Sequence, residues 1–178
     1  GDLACFVDFR RTFCANEDPS HPHSNSLRGV PRLPHASEGS LLVSQCDPQL
    51  LFQLGFTGAC RLNALHLCGP GDGRAPGELR IFANAPNLDF AGAEDLQPTV
   101  SVDLRDHWRP TADGGKAEAK TLGQLECEIP LKTVLFQRVT ELTLFVVDNV
   151  GDEDTTALSL VEVIGARVHK VTVVDGVL

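Results

Sequence analysis

The chain has 178 residues, 42% of them hydrophobic and 22% charged, a balance typical of one folded domain and not of a disordered or fibrous protein. Its net charge of −9 argues against a site for nucleic acid or for an anionic membrane surface, because both require clustered cations. No apolar run approaches the about 20 residues of a membrane-spanning helix, and the N-terminus lacks a signal-peptide pattern. We therefore expect a soluble monomer in the cytoplasm, with the nucleus as an alternative.

The cysteine content favours a reducing compartment. The six cysteines include no Cys-x-x-Cys pair, and their spacings match neither a zinc finger nor a thioredoxin motif. A chain of this length and apolar content does not need disulfides for stability, and it contains no Asn-x-Ser/Thr sequon. Cys127 alternates with Leu125 and Ile129, which predicts a small buried hydrophobic side chain.

The first distinct segment, residues 15–38, has four prolines, three histidines and few large apolar residues. This composition predicts an extended arm lying against the domain. His21 and His23 flank Pro22 and would bind a metal only with ligands from elsewhere in the chain. We expect no metal there.

From residue 41 onward the apolar residues recur with a period of two, which predicts strands with one buried face. The segment Leu142–Val147 is apolar on both faces and is therefore expected at the centre of a sheet. No segment is a convincing amphipathic helix. About nine antiparallel strands are predicted, over residues 40–45, 50–54, 61–67, 78–84, 99–104, 125–131, 133–136, 141–147 and 157–168. Short strands separated by turn residues indicate an all-β fold of two packed sheets.

Two further segments interrupt the strands. Residues 69–73 are rich in glycine, but they match no phosphate-binding motif and lead into another strand, so we expect a plain turn. Residues 105–124 are polar and contain an Asp-Gly-Gly-Lys turn, which predicts a surface insertion. Trp108, at the start of this insertion, could cover a sheet end or anchor a partner.

The segment 148–154 contains four carboxylates in seven residues. Its oxygen atoms could bind calcium, although the spacing differs from that of an EF-hand loop. It could also be a solvated turn, or a contact surface for a basic partner, which is the interpretation we favour. We expect Asp148, Asn149, Gly151, Asp152, Glu153 and Asp154 to contact a partner.

A second candidate contact surface is the turn 84–90, which follows a predicted strand. Leu88 and Phe90 either pack this turn onto the core or form an exposed anchor, and packing is the more frequent case. The candidate contact residues here are Asn84, Pro86, Asn87, Asp89 and Phe90. Because the six histidines do not converge in the sequence and no Gly-x-Ser-x-Gly motif is present, we expect no catalytic residues, no metal and no cofactor.

Several motifs in the same order resemble those of the PITH domain, the proteasome-interacting domain found at the C-terminus of certain thioredoxin-like proteins. They are CANE at 14–17 with HP at 21–22, SQCDPQLL at 44–51, NAPNLDF at 84–90, VLFQRV at 134–139 and LFVVDNVGDE at 144–153. The similarity extends over about residues 3–168, so we expect one PITH domain over 1–168 and a tail over 169–178.

The resemblance implies a jelly-roll β-sandwich similar to galactose-binding domains, in agreement with the strand pattern. It also implies a non-catalytic module that docks on the regulatory particle of the 26S proteasome. The chain lacks a Cys-x-x-Cys motif and thus looks like the family members that consist of little more than the PITH domain. Since it begins at Gly1 and contains no Met, we expect further sequence upstream.

Two alternatives of other classes remain. One is a carbohydrate or calcium site at one end of the sandwich, for which the absence of Tyr and the single Trp leave few stacking side chains. The other is an accessory role in thiol redox chemistry.

Overall fold

The computed structural model describes residues 1–27, 35–111 and 122–169. The strands are β1 (Phe13–Ala15), β2 (His35–Ala36), β3 (Leu42–Val43), β4 (Leu50–Pro70), β5 (Glu78–Ala83), β6 (Val100–Asp103), β7 (Arg109–Pro110), β8 (Leu122–Pro130), β9 (Val139–Val146), β10 (Ala157–Leu158) and β11 (Leu160–Arg167). The helices are α1 (Ser24–Leu27) and α2 (Phe90–Asp95), and 3-10 turns lie at Ala4–Phe6, Phe9–Arg11, Glu38–Ser40 and Thr133–Leu135. With four and six residues, neither described helix can cross a membrane.

The 21-residue strand β4 belongs to both layers of the sandwich. Its first part pairs with β1 on one side and β9 on the other, and β5 and β6 continue that layer beyond β9. Its second part pairs with β11 and β8 and forms the other layer. All these pairs are antiparallel, and the predicted all-β jelly-roll fold is confirmed.

The main core lies between the two layers, and alternate side chains of β4 from Leu50 to Phe56 point into it. The alternation changes phase after Leu62, because Asn63 has no Cα partner on β11. Leu65 and Leu67 therefore face the core, and His66 and Cys68 face outward. Gly165 lies directly against the Arg61 carbonyl at this irregularity, so a side chain at position 165 would collide with the backbone.

A second, smaller core covers the outer face of the first layer. Leu51, Phe82 and Phe145 point away from the main core and pack with Leu88 and with Ala93 of α2. Strand β9 is therefore buried on both faces, as its continuous apolar sequence predicts, and it lies between β4 and β5.

Some sequence predictions were wrong in detail. Residues 50–54 and 61–67 form one strand, because the chain stays extended through 55–60 while its register with β9 shifts. Instead of the strand predicted at 133–136, a 3-10 turn at Thr133–Leu135, closed by i to i+3 hydrogen bonds, leads from β8 to β9. The strand predicted at 40–45 is limited to β3, which follows another 3-10 turn.

Helix α2 was not predicted from the sequence. Asp89 begins it, since its carboxylate accepts a hydrogen bond of 2.7 Å from the Gly92 N–H.

The predicted arm and insertion are described in part. Residues 16–27 lie beside β3 and β11, and Ser26 is fully buried. In the insertion, β7 pairs with β8, and Trp108 is half-buried with its indole N–H donating to the Pro76 carbonyl at 2.8 Å. Trp108 therefore covers the sheet end. The rest of the arm (28–34), most of the insertion (112–121) and most of the tail (170–178) lie outside the described residues.

Candidate functional site

The acidic segment 148–154 is held in place from inside by Asn149, which is 2% exposed. Its amide donates hydrogen bonds of 3.0 Å to the Glu153 and Thr155 carbonyls, and its oxygen accepts one of 2.8 Å from the Glu153 N–H. Thr156, also buried, donates to the Pro48 carbonyl at 2.6 Å. The Asn149 side chain is thus enclosed and shapes the loop. That Asn149 contacts a partner stays a prediction.

The same segment packs against the turn that follows β4. The Val150 and Gly151 N–H groups donate to the Ala75 and Gly73 carbonyls, both at 2.8 Å. Gly73 has φ of +98°, and a Cβ added to Gly151 would lie 2.7 Å from the Gly73 Cα. Glycine is required at both positions by this close approach and backbone conformation. The predicted contact residue Gly151 thus has a structural role in fixing the loop.

The Asp148 carboxylate forms hydrogen bonds within the domain. One carboxylate oxygen accepts from the Glu78 N–H at 2.7 Å, and the other accepts from the Arg105 guanidinium at 2.8 Å. Arg105 also pairs with Asp103. These two carboxylates raise the pKa of Arg105, Asp148 having the larger effect, and the Arg105 backbone N–H and side chain lower the pKa of Asp103.

Four side chains of the segment remain on the surface. Asp152, Glu153 and Asp154 are exposed, and no Lys or Arg within the described ranges lies within ion-pair distance of them. Val150 beside them is 39% exposed. The segment therefore presents unpaired negative charge and an apolar side chain on a fixed backbone.

The turn 84–90 uses most of its predicted contact residues internally. Asn84 accepts from the Thr140 N–H at 2.9 Å and donates to the Arg138 carbonyl at 2.9 Å. Asp89 caps α2, and the Phe90 ring packs edge-on against Phe145 with centroids 6.0 Å apart. Packing onto the core is therefore the role of Leu88 and Phe90.

Four candidate contact residues of this turn are exposed: Pro86 and Asn87, and also Asn84 and Asp89, whose side chains make the hydrogen bonds given above.

The two candidate surfaces do not form one site. Asp148 bonds to the start of β5 at Glu78, whereas Asn84 directly follows the end of β5. The six residues of β5, at about 3.4 Å each, separate the two surfaces by about 20 Å. A single small ligand cannot bridge them, so each is considered as a separate contact surface.

Buried thiols have properties opposite to those of redox cysteines. Burial raises the pKa of Cys14 well above its ordinary value, with Glu17 adding to the effect, and raises the pKa of Cys127 to about 12. Cys60 is shifted in the same direction by burial. Since the thiolate is the reactive form, these three cysteines are poor nucleophiles. Cys127 is 3% exposed in the core, as predicted.

Sequence reasoning missed a cluster on the outer face of the second layer. His66, Cys68 and Glu126 each offer one potential ligand atom, and these three atoms lie within 4.8 Å of one another. Among the described residues this is the sole group of three or more His, Cys, Asp or Glu side chains so arranged. The available signal was the period-two spacing of His66 and Cys68, which places both on one face of a strand.

Residues 1–176 match the profile of the family described as PITH domain. The chain is 28% identical over 162 residues to "Thioredoxin-like protein 1" of Schizosaccharomyces pombe, covering 87% of this chain and 48% of that protein. It is 28% identical over 149 residues to "PITH domain-containing protein 1" of Danio rerio, covering 84% of this chain and 62% of that protein. The chain thus spans about half to two thirds of the length of these relatives.

Two solved structures share the fold. One is a fucose-binding module of Streptococcus pneumoniae, with a TM-score of 0.55 and 13% identity, covering 94% of this chain and 99% of that one. The other is a carbohydrate-binding module, CBM32-3, from a family 31 glycoside hydrolase of Clostridium perfringens, with a TM-score of 0.52 and 13% identity over 91% of this chain and 96% of that one. The sequence match over nearly the whole chain, on a jelly-roll sandwich, leads to one conclusion: the chain belongs to the PITH domain family.

Proposed function

We propose that the chain is a non-catalytic protein-interaction module that docks on the regulatory particle of the 26S proteasome, in the cytoplasm or the nucleus. Membership of the PITH domain family supports an interaction module, and the resemblance noted from the sequence motifs supplies the partner. The observation that carries the proposal is the exposed acidic surface of Val150, Asp152, Glu153 and Asp154 on a fixed backbone.

The energetics of such a surface favour recognition by a basic partner with an apolar contact. An exposed ion pair contributes only about 0.2–1 kcal/mol, so three carboxylates alone give a weak complex. Burying an apolar side chain removes its surface from water at about 25 cal/mol per Å². Val150 lies next to the carboxylates and supplies such a contact without a conformational change, because Asn149 already fixes the loop.

The carbohydrate-binding alternative has less support. The solved neighbours include modules that bind sugars, but at 13% identity they inform only on the fold. Sugar sites usually need an exposed aromatic ring beside polar groups. The chain has no Tyr, and its one Trp is half-buried with its N–H bonded to the Pro76 carbonyl. Phe9 and Phe13 are exposed, but their rings carry no polar group.

A calcium site in the acidic segment is also disfavoured. Asp148 is already paired with Arg105, and the Asn149 amide faces the loop backbone. Within the described ranges, the acidic segment does not bring three ligand atoms together.

The test is a pull-down of purified proteasome regulatory particles with the immobilised chain. The double variant Asp152→Lys, Glu153→Lys reverses two charges, so that attraction to basic groups of the partner becomes repulsion. Two exposed pairs of about 0.2–1 kcal/mol each correspond to a loss of affinity of about 2- to 30-fold, to which the new repulsion adds. Val150→Ser should weaken capture as well, since it removes the apolar contact.

The matched control is Glu94→Lys with Asp95→Lys, which makes the same charge change at two adjacent exposed positions of α2. Melting temperatures should stay within about 2 °C of the wild type for Val150→Ser and for the control. Asp152 has φ of +53°, so Lys at this position should lower the melting temperature by about 2–4 °C per kcal/mol of backbone strain, and capture is compared at a temperature at which every variant is folded. Equal capture by the loop variant and the wild type would exclude the acidic surface. Absence of capture by the wild type would exclude docking on this particle.

A further inference from the structure

A cleft on the outer face of the second layer contains a metal-ligand set that the function above does not use. We propose that His66, Cys68 and Glu126 bind one divalent metal ion of the zinc class, through the imidazole Nε2, the thiolate and the carboxylate. Imidazole, thiolate and carboxylate are the ligands found in protein zinc sites.

Strand register explains why these three side chains meet. His66 and Cys68 lie two residues apart on β4 and share its outer face, because the irregularity at Asn63 turns Leu65 and Leu67 to the core. Glu126 on β8 is the direct cross-strand partner of Cys68. Three ligands thus come from the interiors of two paired strands, where the backbone is well fixed.

The two distances from His66 are close to those of tetrahedral coordination. His66 Nε2 lies 3.3 Å from a Glu126 carboxylate oxygen and 3.9 Å from Cys68 Sγ. With zinc bonds of about 2.0 Å to nitrogen or oxygen and about 2.3 Å to sulfur, ligands at tetrahedral angles are separated by about 3.3 Å for nitrogen and oxygen and about 3.5 Å for nitrogen and sulfur. The two distances from His66 thus need changes of at most a few tenths of an ångström. Cys68 Sγ and the Glu126 oxygen lie within 4.8 Å of each other, so this pair has to approach by up to about 1.3 Å to share an ion.

His66 itself is in an unusual environment. Its side chain is 3% exposed, and its Nδ1 atom has no hydrogen-bond partner. The nearest group is a Glu162 carboxylate oxygen of β11 at 3.7 Å. A neutral ring that donates from Nε2 to Glu126 would direct the lone pair of Nδ1 at this carboxylate. Metal on Nε2 instead leaves the proton on Nδ1 facing Glu162, which is the usual carboxylate–histidine–metal arrangement.

The local charge also favours a cation. Glu128 on β8 and Glu162 on β11 are the cross-strand partners of His66, and Glu126 adds a third carboxylate. Arg109, opposite Glu126 on β7, offsets one of these charges. The remaining negative charge attracts a divalent ion and stabilises it once bound.

Two of the three ligands, His66 and Glu126, line an open cavity of about 370 Å³, and Cys68 lies behind them, fully buried. The cavity is lined by His66, His107, Arg109, Glu126, Cys127 and Glu128. This volume leaves room for water as a fourth ligand, the arrangement of zinc sites with three protein ligands.

The experiment is metal titration of the full chain after removal of metal with a chelator. Zinc binding is measured by competition with a chromophoric chelator, and cobalt is used as a spectroscopic substitute. The wild type should bind one zinc per chain, and the cobalt form should show a thiolate-to-cobalt charge-transfer band in the near ultraviolet. Cys68→Ser should abolish that band, whereas Cys46→Ser, at an exposed position, should keep it.

Glu126→Gln is the variant that keeps the test decisive if Cys68→Ser fails to fold, since the Glu126 side chain is 29% exposed and the change is isosteric. It should weaken zinc binding at least tenfold, whereas Glu94→Gln, at an exposed position of α2 outside the cluster, should change it less than threefold. Glu162→Gln should weaken it about 10–100-fold, as expected for a group that orients a ligand histidine.

Two results would overturn the proposal. A wild type that binds no zinc would leave His66 as a buried ring in contact with the Glu126 carboxylate at 3.3 Å. Zinc bound equally by the wild type and by the Glu126→Gln and folded Cys68→Ser variants would assign the metal to other groups, such as His21 and His23.

Discussion

Asn149→Ala tests whether the acidic segment is held by the buried amide. The substitution removes three hydrogen bonds of 2.8–3.0 Å, two to the Glu153 and Thr155 carbonyls and one from the Glu153 N–H. Each contributes about 0.5–1.5 kcal/mol, and the loop backbone groups lose their partners at a site that excludes much of the water. The free energy of unfolding should therefore fall by about 2–4 kcal/mol. For a domain of this size that corresponds to a melting temperature lower by about 4–15 °C.

The measurement is urea denaturation followed by circular dichroism, with Gln97→Ala at an exposed position as the matched control. Hydrogen exchange should show faster exchange at the Val150 and Gly151 amides in the variant, because these donate to Ala75 and Gly73 only while the loop keeps its conformation. A loss below 0.5 kcal/mol, equal to that of the control, would refute the assignment of Asn149 as the residue that fixes the loop.

Three other predictions concern the core, acid stability and the thiols. Phe145→Ala should lower the free energy of unfolding by about 3–5 kcal/mol in urea titrations, because Phe145 fills the second core and is fully buried; a loss under 1 kcal/mol would contradict this packing. The hydrogen bond from Arg74 lowers the pKa of Glu38 from 4.5, so its stabilising contribution is present above that pH and is lost as the pH falls through the lower folded value. Urea titrations from pH 7 to pH 2.5 should show a smaller pH dependence in Arg74→Gln, and an unchanged profile would remove this pair as a contributor. A thiol reagent at neutral pH should label the exposed Cys46 but label Cys127 only after unfolding, since burial protects it and raises its pKa; labelling of both at similar rates would show that the core opens.

Much of the fold could be predicted from the sequence because strands with one buried face alternate apolar and polar residues. That signal identified β8 and β9, and the apolar residues on both faces of β9 correctly placed it at the centre of a layer. The signal failed at residues 133–136, where four residues are too few to separate a strand from a 3-10 turn. It also missed that β4 continues through residues 55–60, because Gly55 and Gly58 are typical turn residues.

The candidate site was predicted less completely. The concentration of carboxylates in 148–154 was visible in the sequence, but burial was not, so Asn149 and Asp148 were interpreted as contact residues. The pairing of Asp148 with Arg105 joins residues 43 positions apart, which no local pattern indicates. The meeting of His66 and Glu126, 60 positions apart, depends on strand register and on the irregularity at Asn63, neither of which the spacing of residues specifies.

The most direct measurement is an electron cryomicroscopy reconstruction of the chain bound to the proteasome regulatory particle. We expect the Val150, Asp152, Glu153 and Asp154 side chains to lie at the interface, within about 4 Å of basic and apolar groups of the particle. A reconstruction in which this segment faces solvent while another surface of the sandwich forms the contact would contradict the proposal.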